Sequence, residues 1–143
     1  MTQVCLDAST IVPMLVREGS SDAVDQLIER LESPPVVSTF AVGEAGSALA
    51  RLYRMDMLTA PDVRERLASL DRWLTLDADL VELEASDVRL AGLFVRKVEL
   101  GLRMPDAIHV AVSQRLGATL ATLDVRLAGA AAALDVKVLI PGS

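Results

Sequence analysis

The chain has 143 residues, the size of one domain with one core, and its net charge of −6 excludes nucleic-acid binding by a broadly basic surface. A hydrophobic content of 52% and a mean hydropathy of +0.40 are high for a soluble monomer, so the expectation is a large core plus an apolar face covered in a homodimer. The aromatic residues Phe40, Tyr53, Trp73 and Phe94 are too few for a base-stacking platform.

Val4-Cys5-Leu6 reads as a buried strand that ends at Asp7-Ala8-Ser9-Thr10. Cys5 is the only cysteine and has no internal disulfide partner, which fits a reducing cytoplasm. The apolar stretch from Ala8 to Val16 lacks a basic leader and is interrupted by Pro13, so a signal peptide is rejected. No apolar run reaches the ~18 residues of a membrane span. Helices are expected from Thr10 to Arg17 and from Ser21 to Leu31, the second capped by Ser20 or Ser21.

Val36-Val37-Ser38 is the second expected strand, and Thr39 is expected to cap a helix running to about Arg54. Its small residues, among them Ala41, Gly43, Ala45 and Gly46, suit close packing, and Glu44, Ser47, Ala48 and Arg51 share one face. Thr59-Ala60-Pro61-Asp62 opens a helix to about Trp73 with a threonine cap, an early proline and an acid in the first turn. A further helix is expected from Ser86 or Asp87 to about Leu100, stopped by Gly101, and another from Asp106 to Leu116, stopped by Gly117. Thr119-Leu120-Ala121-Thr122 and Lys137-Val138-Leu139-Ile140 read as the last two strands, with a helix between them. Short apolar strands alternating with helices predict an α/β fold whose mainly parallel sheet is covered on both faces. Ligands gather at the carboxyl ends of the strands in such folds. Nothing marks a domain boundary, so residues 1–143 are read as one domain.

The chemistry rests on four carboxylates that this topology sends to one crevice. Asp7 follows the first strand and Asp124 the third expected one. Glu44 and Asp106 lie near the starts of helices that face the sheet. Each has a plain structural reading: a turn or cap for Asp7 and Asp124, a helix face for Glu44, and compensation of the helix dipole for Asp106. Together they would repel strongly unless a divalent cation joined them. All-oxygen ligation selects Mg²⁺ or Mn²⁺, and the natural chemistry is phosphodiester hydrolysis by metal-activated water. The acidic site can thus meet phosphate through bound cations despite the negative charge. Ser9 and Thr122 stand two residues from Asp7 and Asp124, where their hydroxyls could orient a ligand or a metal water. Arg51 and Arg103 are candidate phosphate contacts. His109, one turn after Asp106, reads as a core residue, and Cys5 as inert packing.

The motifs Leu6-Asp7-Ala8-Ser9, the helical Glu44, Met104-Pro105-Asp106-Ala107-Ile108-His109-Val110-Ala111 and Thr122-Leu123-Asp124-Val125-Arg126-Leu127 resemble, in order and spacing, those of PIN-domain nucleases. The likeness covers nearly the whole chain and is nearest to VapC-like toxins of toxin–antitoxin pairs. It implies a three-layer α/β/α sandwich and a Mg²⁺- or Mn²⁺-dependent endoribonuclease, usually dimeric and held inactive by a cognate antitoxin. On this resemblance Asp7 and Asp106 are the leading catalytic metal ligands, Glu44 and Asp124 complete the pocket, and RNA is the substrate. Two other readings compete. One is a non-catalytic PIN-like module that binds protein through its apolar surface. The other is a phosphotransfer domain with Asp7 as acceptor, disfavoured because Ser9 stands where a phosphatase of the haloacid dehalogenase type needs a second acid.

Overall fold

The computed structural model describes residues 3–143. Five parallel strands run through it: β1 (Val4–Leu6), β2 (Val36–Ser38), β3 (Asp79–Val81), β4 (Thr119–Ala121) and β5 (Val138–Leu139). Seven helices connect them: α1 (Ala8–Leu15), α2 (Ser21–Glu29), α3 (Thr39–Arg54), α4 (Ala60–Asp77), α5 (Ala85–Val95), α6 (Met104–Leu116) and α7 (Val125–Ala133). The sheet order is β3-β2-β1-β4-β5. The chain therefore builds outward from β1 in one direction, then returns to its other side with β4. The switch point lies between β1 and β4, where an open α/β sheet forms its ligand crevice.

Side-chain alternation along the strands feeds two cores. Cys5, Val36 and Leu120 point to one face, where α5, α6 and α7 contribute Phe94, Val110 and Leu127. Val4, Leu6, Val37 and Ala121 point to the other, against Ile11 of α1, Ala45 of α3 and Leu70 of α4. This is the three-layer α/β/α sandwich the sequence predicts. No helix among the described residues is long and apolar enough to cross a membrane.

Several local expectations change. β3 has no counterpart in the sequence reading: it pairs with β2 at the sheet edge, and Asp79 and Leu80 are exposed, so it carries no buried apolar signature. The helix expected from Ser86 or Asp87 to Leu100 is two pieces, α5 and a 3₁₀ turn at Val98–Leu100. α4 runs on to Asp77 and α2 ends at Glu29. Ser38, not Thr39, caps α3 by accepting from the Ala41 amide at 3.0 Å. Neither Ser20 nor Ser21 caps α2: the Ser21 hydroxyl instead donates to the Pro13 carbonyl at 2.7 Å and ties α2 back to α1. Thr59 and Asp62 do form the expected capping box. α6 begins at Met104 with Pro105 second, and it ends at Gly117, whose φ of 61° suits a residue without Cβ.

One ion pair, buried at its acid and open to solvent at its arginine, fastens the α5–α6 side. The Arg115 guanidinium donates to both Asp87 carboxylate oxygens, at 2.8 and 2.9 Å, and the Glu84 amide donates to the same group. Burial pushes the Asp87 carboxyl up, but Arg115 and the Glu84 N–H together outweigh it and leave it below the usual carboxylate range. A depressed carboxyl stabilises the fold above its unfolded pKa of about 3.9, and that stability is lost as pH falls through the folded value. Arg115→Met, which leaves the buried acid with the Glu84 amide but no counter-charge, is expected to lower the unfolding free energy by about 2 kcal/mol at pH 7 in urea titrations. Asp87→Asn is expected to flatten the acid limb of stability below about pH 4.

Candidate active site

β1 delivers Asp7 to the switch point. Its backbone is extended (φ −88°, ψ 175°) and its side chain caps α1 by accepting from the Thr10 amide. The residue is 4% exposed. Both carboxylate oxygens accept from hydroxyls at 2.6 Å, Oδ1 from Ser9 and Oδ2 from Thr122. The two hydroxyls are themselves held: Ser9 Oγ accepts from the Leu123 amide at 2.9 Å, and Thr122 Oγ1 accepts from the Asp124 amide at 3.0 Å. Ser9 and Thr122 thus orient the acid itself, where their spacing had suggested only a hold on a ligand or a metal water.

Such a site confines negative charge without a formal counter-charge. Burial pushes the Asp7 carboxyl above its usual range; the Ser9 and Thr122 hydroxyls, the nearby His109 ring and the Thr10 amide pull it back only in part.

The other three acids are placed as follows. Asp124, half-buried at the end of β4, caps α7, with Oδ1 accepting from the amides of Arg126 and Leu127 at 3.0 and 3.2 Å. Asp106 lies half-buried in the first turn of α6, where the dipole favours it. Glu44 projects from α3, and its Oε1 lies 2.5 Å from Nε2 of His109. That pairing escaped the sequence reading, which gave His109 to the core; the residue is indeed buried, at 4% exposed. Its only sequence signal is the one-turn spacing from Asp106, because the 65 residues separating it from Glu44 carry no contact information.

Beside Glu44 a surface groove of about 490 Å³ is lined by Val12, Ser47, Ala48, Arg51, Leu52 and Arg54 among others. Arg51 is therefore open to a ligand that reaches Glu44. Arg103 is exposed at the N-terminal boundary of α6. The guanidinium of Arg126 approaches the Gly101 carbonyl at 3.4 Å, tying α7 to the loop that precedes α6.

Among the described residues no three His, Cys, Asp or Glu side chains close a metal cage. Zinc, which wants a compact set of nitrogen and sulfur ligands, is a poor match: Cys5 is buried with its thiol pushed up to about 11, chiefly by burial. Mg²⁺ keeps several waters and needs only one or two carboxylates. A buried, hydroxyl-held Asp7 with further oxygen donors on neighbouring elements fits that lesser demand.

The metal-free protein offers a direct test of this electrostatic state. Because the fold raises the Asp7 pKa, stability falls as pH climbs from the unfolded carboxylate value through the raised folded one. Without divalent cations at neutral pH, Asp7→Asn is expected to be more stable than the native chain by on the order of 1 kcal/mol. Urea titrations should show the difference vanishing below about pH 4.

A PIN domain family model matches residues 4–133. Ribonuclease VapC46 of Mycobacterium tuberculosis is 33% identical, covering 99% of both chains. Ribonuclease VapC9 of the same species is 32% identical over 87% of each. Among solved structures, M. tuberculosis VapC20, described as a sarcin–ricin loop cleaving toxin, superposes with a TM-score of 0.71 at 17% identity, over 90% of this chain and 95% of that one. VapBC2 from Rickettsia felis, bound to a DNA fragment from its promoter, gives 0.73 at 13% identity over 96% and 97%. The structural likenesses speak to the fold alone; the family model and the identity to the relatives carry the assignment. The chain belongs to the PIN-domain family, among its VapC ribonucleases.

Proposed function

We propose that this protein is a Mg²⁺- or Mn²⁺-dependent endoribonuclease, the toxin of a toxin–antitoxin pair. In this reading residues 1–143 form one PIN-like unit that works as a homodimer in the cytoplasm and is held inactive by a cognate antitoxin protein. The supporting observation is Asp7: a carboxylate 4% exposed, at the switch point of the sheet, whose direct partners are hydroxyls and an amide rather than a cationic side chain. The relatives named VapC ribonucleases support RNA as the substrate. The VapBC2 complex, a structural neighbour, supports the pairing with an antitoxin.

The protein's own contribution is placement. Asp7 is the proposed primary ligand, oriented by the Ser9 and Thr122 hydroxyls, which offset part of the cost of burying its charge. Asp106, Glu44 and Asp124 complete the acidic pocket from α6, α3 and the end of β4. For Asp124 the free oxygen is Oδ2, since Oδ1 is committed to capping α7. A bound divalent cation supplies positive charge for the phosphate and an acidified water as nucleophile. Arg51, beside Glu44 in the groove, meets the RNA backbone, and Arg103 does so at the mouth of α6. These contacts offset the overall charge of −6 locally, where a phosphate must approach.

With Mn²⁺ and an RNA substrate, Asp7→Asn and Asp106→Asn are each expected to lower the cleavage rate by more than about 100-fold while remaining folded by circular dichroism. Arg51→Ala is expected to raise KM with little change in kcat. Cleavage that continues in excess EDTA would sink the metal mechanism.

A further inference from the structure

We propose that His109 is a positioning residue, fixing the Glu44 carboxylate in the acidic pocket through the bond from its Nε2 to Glu44 Oε1. The inference rests on the reading of Glu44 as part of that pocket. The two side chains come from different helices and differ in environment: the His109 side chain is 5% exposed and that of Glu44 30%. A carboxylate can only accept, so Nε2 carries the proton and donates it across the 2.5 Å separation.

The imidazole is itself fixed. Its ring meets Phe40 edge to face, with centroids 5.6 Å apart and planes at 60°. Phe40 and Glu44 lie four residues apart on α3, so they share one face of the helix. One turn of α3 therefore supplies the aromatic that sets the ring, and the next supplies the carboxylate that the ring holds. On α6, His109 lies one turn beyond Asp106, so the same short segment carries an acid of the pocket and the donor that orients another. A glutamate with its Oε1 tied down keeps Oε2 as the oxygen for a cation or its waters. It also loses the rotamer freedom that would otherwise be lost on binding.

The role is one of orientation, and partners of this kind typically change metal affinity by about 10–100-fold when removed. Calorimetric titration with Mn²⁺ alone, on the whole protein at neutral pH, reads it without reference to catalysis. His109→Leu is expected to weaken Mn²⁺ binding by about 10–100-fold. His109→Gln, which keeps a donor of similar reach, is expected to restore most of it. In a Glu44→Gln background, adding His109→Leu is expected to change nothing further, because the effect runs through the carboxylate.

A folded His109→Leu protein that binds Mn²⁺ as tightly as the native chain overturns the proposal, as does a full His109→Leu effect in the Glu44→Gln background. Should His109→Leu fail to fold, proton NMR of the metal-free native chain decides. A downfield Nε2 proton that moves upfield in Glu44→Gln supports the pairing, and one indifferent to that substitution overturns it. Native protein that binds no Mn²⁺ at all overturns the metal site itself and this inference with it, an outcome distinct from the loss of positioning alone.

Discussion

The rest of the structure is arranged around one charge buried at the end of the central strand. A carboxylate 4% exposed to solvent must be solvated by the protein. Here Ser9 supplies one hydroxyl from α1 and Thr122 another from the end of β4, while the Thr10 amide joins through the helix cap. The amides of Leu123 and Asp124 then hold those hydroxyls in place. Segments 115 residues apart are thereby tied at one point, and that point is the switch between β1 and β4 where the sheet opens. Local solvation and global topology are satisfied by the same few atoms.

The contrast with Asp87 shows what this solution achieves. Asp87 is also buried, but it receives a bidentate arginine and an amide, so its charge is neutralised and its ionisation favoured. Asp7 receives only hydroxyl and amide dipoles, which offset its burial in part, so its carboxyl stays above the usual range with no arginine or lysine to neutralise it. The first arrangement serves the fold and the second tolerates a local penalty, as functional sites commonly do. The same division is visible along α6, which carries the Asp106 acid at its first turn and the Arg115 counter-ion at its last.

The sequence made the frame legible wherever burial was complete. β1, β2 and β4 are buried throughout, and their apolar runs reveal them. β3 hides because an edge strand with Asp79 and Leu80 exposed needs neither alternation nor a continuous apolar run. The bounds of α7 were hidden by the run Gly129 to Ala133, glycine and alanines without a distinct polar face. Within the site, Ser9 and Thr122 could be suspected from their nearness to acids in sequence. The link from His109 to Glu44 could not, because it joins side chains of two helices 65 residues apart that only the tertiary fold brings within reach. A lone histidine among apolar neighbours looks like core, and this one is both core and partner. The Asp87–Arg115 pair was equally silent, its members 28 residues apart.

The bond between Thr122 and Asp7 spans 115 residues, and this has a bearing on synthesis. At about 5–20 residues per second a ribosome needs on the order of ten seconds to make the intervening chain. During that interval Asp7 has been translated but β4 has not, so the acid has neither its second hydroxyl nor the strand that closes the crevice. Parallel pairings between such distant segments also place this topology among the slower folders. A growing chain of this design therefore carries its buried acid from the outset and completes its setting only late in synthesis.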